Sequence, residues 1–251
     1  MPPTRLLLLS NSTDAEGRYL HHAAAELRDL LGEGPREILF VPYAGVTSSW
    51  ERYAERTREA LAPLGYRVTS VHEAPDREAA VRAASAIAVG GGNTFHLLRA
   101  LYAHGLVEAV RERATAGVPY VGWSAGSVVA CPTMRTTNDM PIVEPPSLAA
   151  LGLVPFQINA HYTTFHPPGF RGETRAERLA EFVAANPGVP VLGLPEGMMV
   201  RVRGDDVRLT GTPTSAPAAA VFGVPGVSEA PAGERLDFLR ASAGPRVAPA
   251  P

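Results

Sequence analysis

Apolar residues along this chain fall in short continuous runs separated by longer stretches with helical spacing. Runs at residues 6–9, 37–41, 67–71, 86–89, 120–122 and 156–158, and a later one at 191–194, read as buried strands. Stretches at 18–31, 49–61 and 77–84, and a pair covering 95–115, read as helices between them. Segment 175–185 puts Leu179, Phe182 and Val183 on one stripe, with Arg175, Glu177, Arg178 and Glu181 elsewhere, and so predicts an amphipathic helix. Strands that are apolar throughout need cover on both faces, which a mainly parallel sheet between helices supplies. The pattern therefore predicts an α/β three-layer sandwich with a mainly parallel sheet. After residue 194 it changes to runs at 198–203 and 207–209 around Gly204-Asp205-Asp206, a hairpin expected at the sheet edge. Residues 1–223 read as one domain. Residues 224–251 read as a Pro/Ala-rich extension, partly disordered, with helical character only at 234–241.

Composition narrows the chemistry. All 23 residues in the Lys+Arg count are arginine. Without lysine there is no Schiff-base catalysis, no P-loop lysine and no Ser-Lys dyad. A single cysteine, Cys131, forms no intrachain disulfide and builds no multi-thiolate metal site, and it suits a cytoplasmic chain. A net charge of −2 supplies no basic stripe for nucleic acid. The apolar run at 6–9 is too short for a membrane span.

Gly122-Trp123-Ser124-Ala125-Gly126 lies directly between a predicted strand and a helix. In that context Gly-x-Ser-x-Gly marks a nucleophile elbow, with Ser124 turned out at the sheet's carboxyl edge and the Ala125 amide aimed at a developing oxyanion. The base must be histidine or a carboxylate. Among seven histidines, His161 alone follows a strand end on the same edge, after Asn159-Ala160; His166 belongs to the ensuing loop. Two acids compete to orient it: Glu196, in Leu194-Pro195-Glu196-Gly197, and Asp139, in Asn138-Asp139-Met140. Sequence order does not choose between them. Gly90-Gly91-Gly92-Asn93 is a poor dinucleotide fingerprint, because Phe95 replaces the third glycine. It reads better as a second wall of backbone N–H groups opposite Ser124, with Asn93 offering its amide to a substrate. In Gly172-Glu173-Thr174-Arg175, Arg175 opens a helix, where a cation is poorly matched to the dipole. Its guanidinium fork suits a carboxylate.

These residues resemble the bacterial peptidase E family of serine α-aspartyl dipeptidases, which share a class I glutamine-amidotransferase-like (flavodoxin-like) α/β sandwich. The resemblance runs through Leu9-Ser10-Asn11-Ser12-Thr13, Pro42-Tyr43-Ala44-Gly45, the glycine run, the elbow, the long stretch Cys131-Pro132-Thr133 to Pro141-Ile142-Val143, Gly172-Glu173-Thr174-Arg175 and Gly193-Leu194-Pro195-Glu196-Gly197. It implies hydrolysis of Asp-Xaa dipeptides without metal or cofactor. It further implies Ser124 as nucleophile, His161 as base, and Glu196 as orienting acid with Asp139 its rival. Arg175 and Asn93 would hold the aspartate, Asp139 or Glu173 its amine, and Gly92 and Ala125 the oxyanion. A cytoplasmic homodimer is implied as well. Tyr162 departs from the family's usual Phe. The rival readings are a cyanophycinase-like or esterase-type hydrolase, and an inactive amidotransferase-like binding module.

Overall fold

The four consecutive leucines of the first strand, β1 (Arg5–Leu9), divide between two cores. Leu6 and Leu8 enter one cluster and Leu7 and Leu9 the other, all fully buried, because successive side chains on a strand point to opposite faces. The computed structural model describes residues 3–34, 36–169, 171–214, 218–224 and 226–241. In it β1 lies inside a seven-stranded sheet of order β3-β2-β4-β5-β1-β8-β9. The other members are β2 (Arg36–Val41), β3 (Tyr66–Ser70), β4 (Ile87–Val89), β5 (Tyr120–Trp123), β8 (Met198–Arg203) and β9 (Asp206–Gly211). The first five strands run parallel, and the β8–β9 hairpin adds antiparallel at the β1 side, with β9 as the edge.

Helices α1 (Ala24–Leu31) and α2 (Trp50–Leu61) cover the Leu7/Leu9 face through Leu27, Leu30, Ala54 and Leu61. The opposite face takes Val81 of α3 (Arg77–Ala83), Leu97, Leu98 and Leu101 of α4 (Thr94–Ala103), Val110 of α5 (Leu106–Thr115), and the short α6 (Ala125–Val128). Side-chain caps fix the starts: Ser49 accepts the Arg52 N–H for α2, Asp76 the Ala79 N–H for α3, and Asn93 the His96 N–H for α4. The predicted helix at 18–31 starts late, at Ala24, after a 3-10 turn at His21–Ala23. Asp14 accepts the N–H groups of Glu16 and Arg18 and so holds that stretch in a turn.

A second sheet completes the α/β fold. Its order is β11-β10-β7-β6, from β6 (Gln157–Ala160), β7 (Val191–Leu194), β10 (Ala219–Gly223) and β11 (Gly226–Ala230). Ile158, Leu192, Leu194 and Val221 face the main core. Val191, Ala220 and Phe222 instead pack with Tyr162 under Leu179 and Val183 of α7 (Arg175–Ala185), the amphipathic helix expected from sequence. Strands β6 and β7 thus leave the larger sheet, and β10 and β11 are additions that the apolar pattern does not announce. The expected boundary at residue 223/224 falls within the β10–β11 hairpin, and Ala230, Leu236 and Leu239 are buried in the main core. Short α8 (Phe238–Ala241) stands where a helix at 234–241 was expected. The end expected to fray, residues 244–251, lies outside the described residues.

Candidate active site

Ser124 occupies the single residue between β5 and α6, with φ 51° and ψ −114°, a backbone conformation that costs a non-glycine residue roughly 1–3 kcal/mol. The flanking glycines make the turn sterically feasible. A Cβ on Gly126 would stand 2.1 Å from the Val89 carbonyl oxygen, and one on Gly122 would stand 2.5 Å from that of Gly126. Ser127 locks the elbow by donating to the Leu9 and Gly122 carbonyls at 2.7 and 2.9 Å. The hydroxyl of Ser124 is thereby held at the carboxyl ends of the parallel strands.

His161 comes from the other sheet, one residue past β6, and is also left-handed, with φ 55°. Its Nε2 lies 2.9 Å from Ser124 Oγ, and its Nδ1 lies 2.6 Å from Glu196 Oε1. Glu196 sits in the short connection from β7 to β8. Of the two acids left open by the sequence, Glu196 meets the imidazole. Asp139 is committed elsewhere: its Oδ2 accepts the Thr94 N–H at 2.7 Å and the hydroxyls of Thr94 and Thr137 at 2.5 and 3.0 Å, at the start of α4. Side chains of His161 and Glu196 are 41% and 49% exposed, so water reaches this pair.

Ser124, His161 and Glu196 open into one cleft of about 1310 Å³, whose walls include Gly92, Asn93 and Ile142. Asn93 stands at its edge, but its side-chain carbonyl caps α4 and its amide donates to the Met140 carbonyl at 2.8 Å. The group expected to face substrate therefore holds the 138–142 loop against α4. Gly92 has φ +134°, and a Cβ there would meet the Ala44 carbonyl oxygen at 2.2 Å. Neither the Gly92 nor the Ala125 N–H donates to a backbone carbonyl among the described residues.

Arg175, the first residue of α7, follows Thr174, which caps the helix reciprocally with Glu177. Its guanidinium is half-buried and donates to Asn159 Oδ1 at 3.4 Å. Burial lowers its pKa below the usual arginine value, and nearby Arg178 adds to the effect. Arg175 has no carboxylate partner among the described residues, and it does not line the Ser124 cleft itself. Glu173 is exposed, 3.8 Å from Arg178. Cys131 is fully buried, its thiol pushed up to about 12 by desolvation.

Three residues that motif reading left without a role hold this geometry. Ser10 Oγ accepts the His161 N–H at 2.8 Å and donates to the Leu194 carbonyl at 2.7 Å. Asn11 Oδ1 accepts the N–H of Gly197, next to Glu196, at 2.8 Å. Thr94 donates its N–H and its hydroxyl to Asp139. The signal for the first two was a polar pair placed directly after a fully apolar strand.

The model of peptidase family S51 matches residues 6–210. The chain belongs to peptidase family S51. It is therefore a serine-type peptidase, a hydrolase. Peptidase E of Nostoc sp. is 46% identical over 210 residues, covering 84% of this chain and 87% of that protein. Peptidase E of Shewanella amazonensis is 49% identical over 207 residues, covering 82% and 88%, and that of Salmonella typhimurium 47% over 210 residues, covering 84% and 91%. Among solved structures, a peptidase from an acI-B1 actinobacterium superposes with TM-score 0.67 at 20% identity, covering 94% of this chain and 97% of that one. A Listeria monocytogenes protein assigned as a peptidase E superposes with TM-score 0.64 at 22% identity, covering 84% and 99%. These two likenesses establish the α/β fold. Every candidate residue lies inside the S51 match, and β10, β11 and α8 lie beyond it.

Proposed function

We propose that this S51 peptidase hydrolyses dipeptides with an N-terminal aspartate, through an acyl-enzyme on Ser124. The chain of contacts from Ser124 through His161 to Glu196 is the observation that carries this reading. His161 Nε2 takes the Ser124 proton as Oγ attacks the scissile carbonyl, then returns it to the departing amine. Glu196 keeps the proton on Nδ1 and stabilises the imidazolium. The N–H groups of Gly92 and Ala125 receive the oxyanion. Water then attacks the acyl-enzyme, with His161 again as base, and releases aspartate.

The cation best suited to the substrate's side-chain carboxylate is Arg175, desolvated and without an acidic partner among the described residues. Asp139 acts through Thr94 and the loop that carries Gly92 and Asn93, and Asn93 shapes the cleft edge from its capping position. Glu173 remains the outer candidate for the substrate amine. The reading extends to a cytoplasmic protein and to a homodimer, the latter supported by Met140 and Ile142, which are 73% and 50% exposed beside the cleft. Among the described residues no helix is long and apolar enough to cross a membrane.

The test compares turnover of Asp-p-nitroanilide with that of Ala-p-nitroanilide and a short-chain ester, alongside labelling by a serine-reactive phosphonate. Labelling at Ser124 and turnover of the aspartyl substrate alone are expected. Arg175→Ala should abolish aspartyl turnover with the fold intact, since a buried carboxylate left without its partner binds several kcal/mol more weakly. Aspartate selectivity surviving in that variant would sink the assignment.

A further inference from the structure

Tyr53, on α2, reaches across the top of the sheet to the glycine run. Its hydroxyl donates to the Gly91 carbonyl at 3.0 Å and accepts the Trp123 indole N–H at 3.0 Å. The contact is close-fitted: a Cβ on Gly90 would lie 2.6 Å from the Tyr53 oxygen. The ring is fixed edge-on against Phe40, with centroids 5.0 Å apart, and Phe40 stacks in turn on Trp123 at 5.6 Å.

One partner of this hydroxyl, Gly91, adjoins the proposed oxyanion donor Gly92, and the other, Trp123, adjoins the nucleophile Ser124. A peptide unit is planar and trans, so the Gly91 C=O and the Gly92 N–H are opposite ends of one rigid plate. Holding the carbonyl end fixes where the N–H end points. On the far side of Gly92, the Asn93 N–H donates to the Ala44 carbonyl at 2.9 Å, so the residue is pinned before and after. Gly91 adjoins the nucleophile, since a Cβ there would be 2.9 Å from Ser124 Cβ. The second partner, Trp123, directly precedes Ser124 on β5.

We propose that Tyr53 is a positioning residue that aims the Gly92 N–H at the oxyanion and keys the glycine loop to the elbow through Trp123. The inference rests on the proposed role of Gly92 as a donor. An oxyanion donor acts on the transition state and little on bound substrate, so misaiming it lowers kcat and spares KM. Removing such a donor outright costs about 10²–10³ in kcat; freeing its peptide to rock should cost less, about tenfold to fiftyfold.

Tyr53→Phe removes the hydroxyl and keeps the ring. With Asp-p-nitroanilide, the expected result is a kcat loss of about tenfold or more, with KM and inhibition by free aspartate within about twofold of the parent. Trp123→Phe breaks the same bridge from the other side and should lower kcat severalfold at constant KM. The double variant should lose little more than the worse single, because both act through one hydroxyl. Folding is checked by thermal melting. Unchanged kcat in folded Tyr53→Phe, a loss confined to KM, or fully additive losses would each overturn the proposal. Should Tyr53→Phe not fold, Trp123→Phe alone decides, and unchanged kcat there overturns it. A parent enzyme that neither cleaves the aspartyl substrate nor labels at Ser124 would instead defeat the reading under Proposed function.

Discussion

Replacing Glu196 by glutamine, beside Asp139 by asparagine, separates the two acids by what each touches. In the transition state His161 becomes an imidazolium with the Glu196 carboxylate 2.6 Å from Nδ1. Charge centres about 4 Å apart attract by roughly 1 kcal/mol in water and roughly 4 kcal/mol at an effective dielectric constant of 20. With side chains 41% and 49% exposed, the pair sits toward the aqueous limit. A value of about 1–2 kcal/mol follows, equivalent to roughly fivefold to thirtyfold in rate. Partial loss of the correct tautomer adds to this, well short of the roughly 10⁴-fold loss reached in a buried triad. Glu196→Gln should therefore reduce kcat about tenfold to a hundredfold, with an unchanged melting temperature. Asp139→Asn weakens a carboxylate at the N-terminus of α4, worth about 0.5–2 kcal/mol. In a chain of this size that lowers Tm by roughly 1–8 °C. Activity against Asp-p-nitroanilide and calorimetry, run on both variants, make the check. If Glu196→Gln keeps more than half of its kcat while Asp139→Asn is inactive with unaltered Tm, Asp139 is the orienting acid.

Two further outcomes concern the scaffold. Gly126→Ala drives a Cβ to 2.1 Å from the Val89 carbonyl oxygen, a backbone atom that cannot yield, so it should cost several kcal/mol and lower Tm by about 10 °C or more; Gly223→Ala, with open space around it, serves as the neutral control. Cys131, fully buried with its thiol pushed up to about 12, should resist iodoacetamide in the native enzyme and react only on unfolding, with activity unchanged by the reagent; rapid native labelling would contradict this.

What could be read from the chain followed from how local each signal is. The elbow was legible because Gly122, Ser124 and Gly126 act within five residues, and the turn they form needs nothing from elsewhere beyond the Val89 carbonyl that excludes a side chain. The position of His161 was legible as a strand end. Its partner was not, because Glu196 and Asp139 both follow strand or helix ends in acid-bearing loops, and only tertiary packing brings the 196 loop to the imidazole. Asn93 carried two meanings at once: an amide beside a glycine run, and an N-cap before the apolar helix that begins at Thr94. Packing realised the second. The smaller sheet escaped for a similar reason. Residues from 224 on are rich in Pro, Ala and Gly and look like a tail until β11 pairs with β10, and β10 with β7, nearly thirty residues earlier.

Ser10 offers the sharpest test of whether strain at the site is held by the scaffold. It directly follows β1 of the large sheet, and its buried hydroxyl is the polar joint to β6 and β7 of the small one. His161 takes φ 55°, costing about 1–3 kcal/mol, at the residue whose ring must meet both Ser124 and Glu196. In Ser10→Ala the Leu194 carbonyl keeps the Tyr162 N–H at 3.0 Å, so the penalty falls on the His161 N–H alone. An unpaired donor there costs about 1–3 kcal/mol, at the lower end for a half-exposed residue. If that bond holds the left-handed backbone, releasing it lets His161 relax and swing its Nε2 from Ser124. Then kcat should fall about tenfold or more while KM stays level and Tm drops by only a few degrees, and Ser10→Thr, which keeps the hydroxyl, should recover much of the rate. A Tm drop with kcat intact would mean that Glu196 and Ser124 alone suffice to hold the ring, and the joint would be structural only.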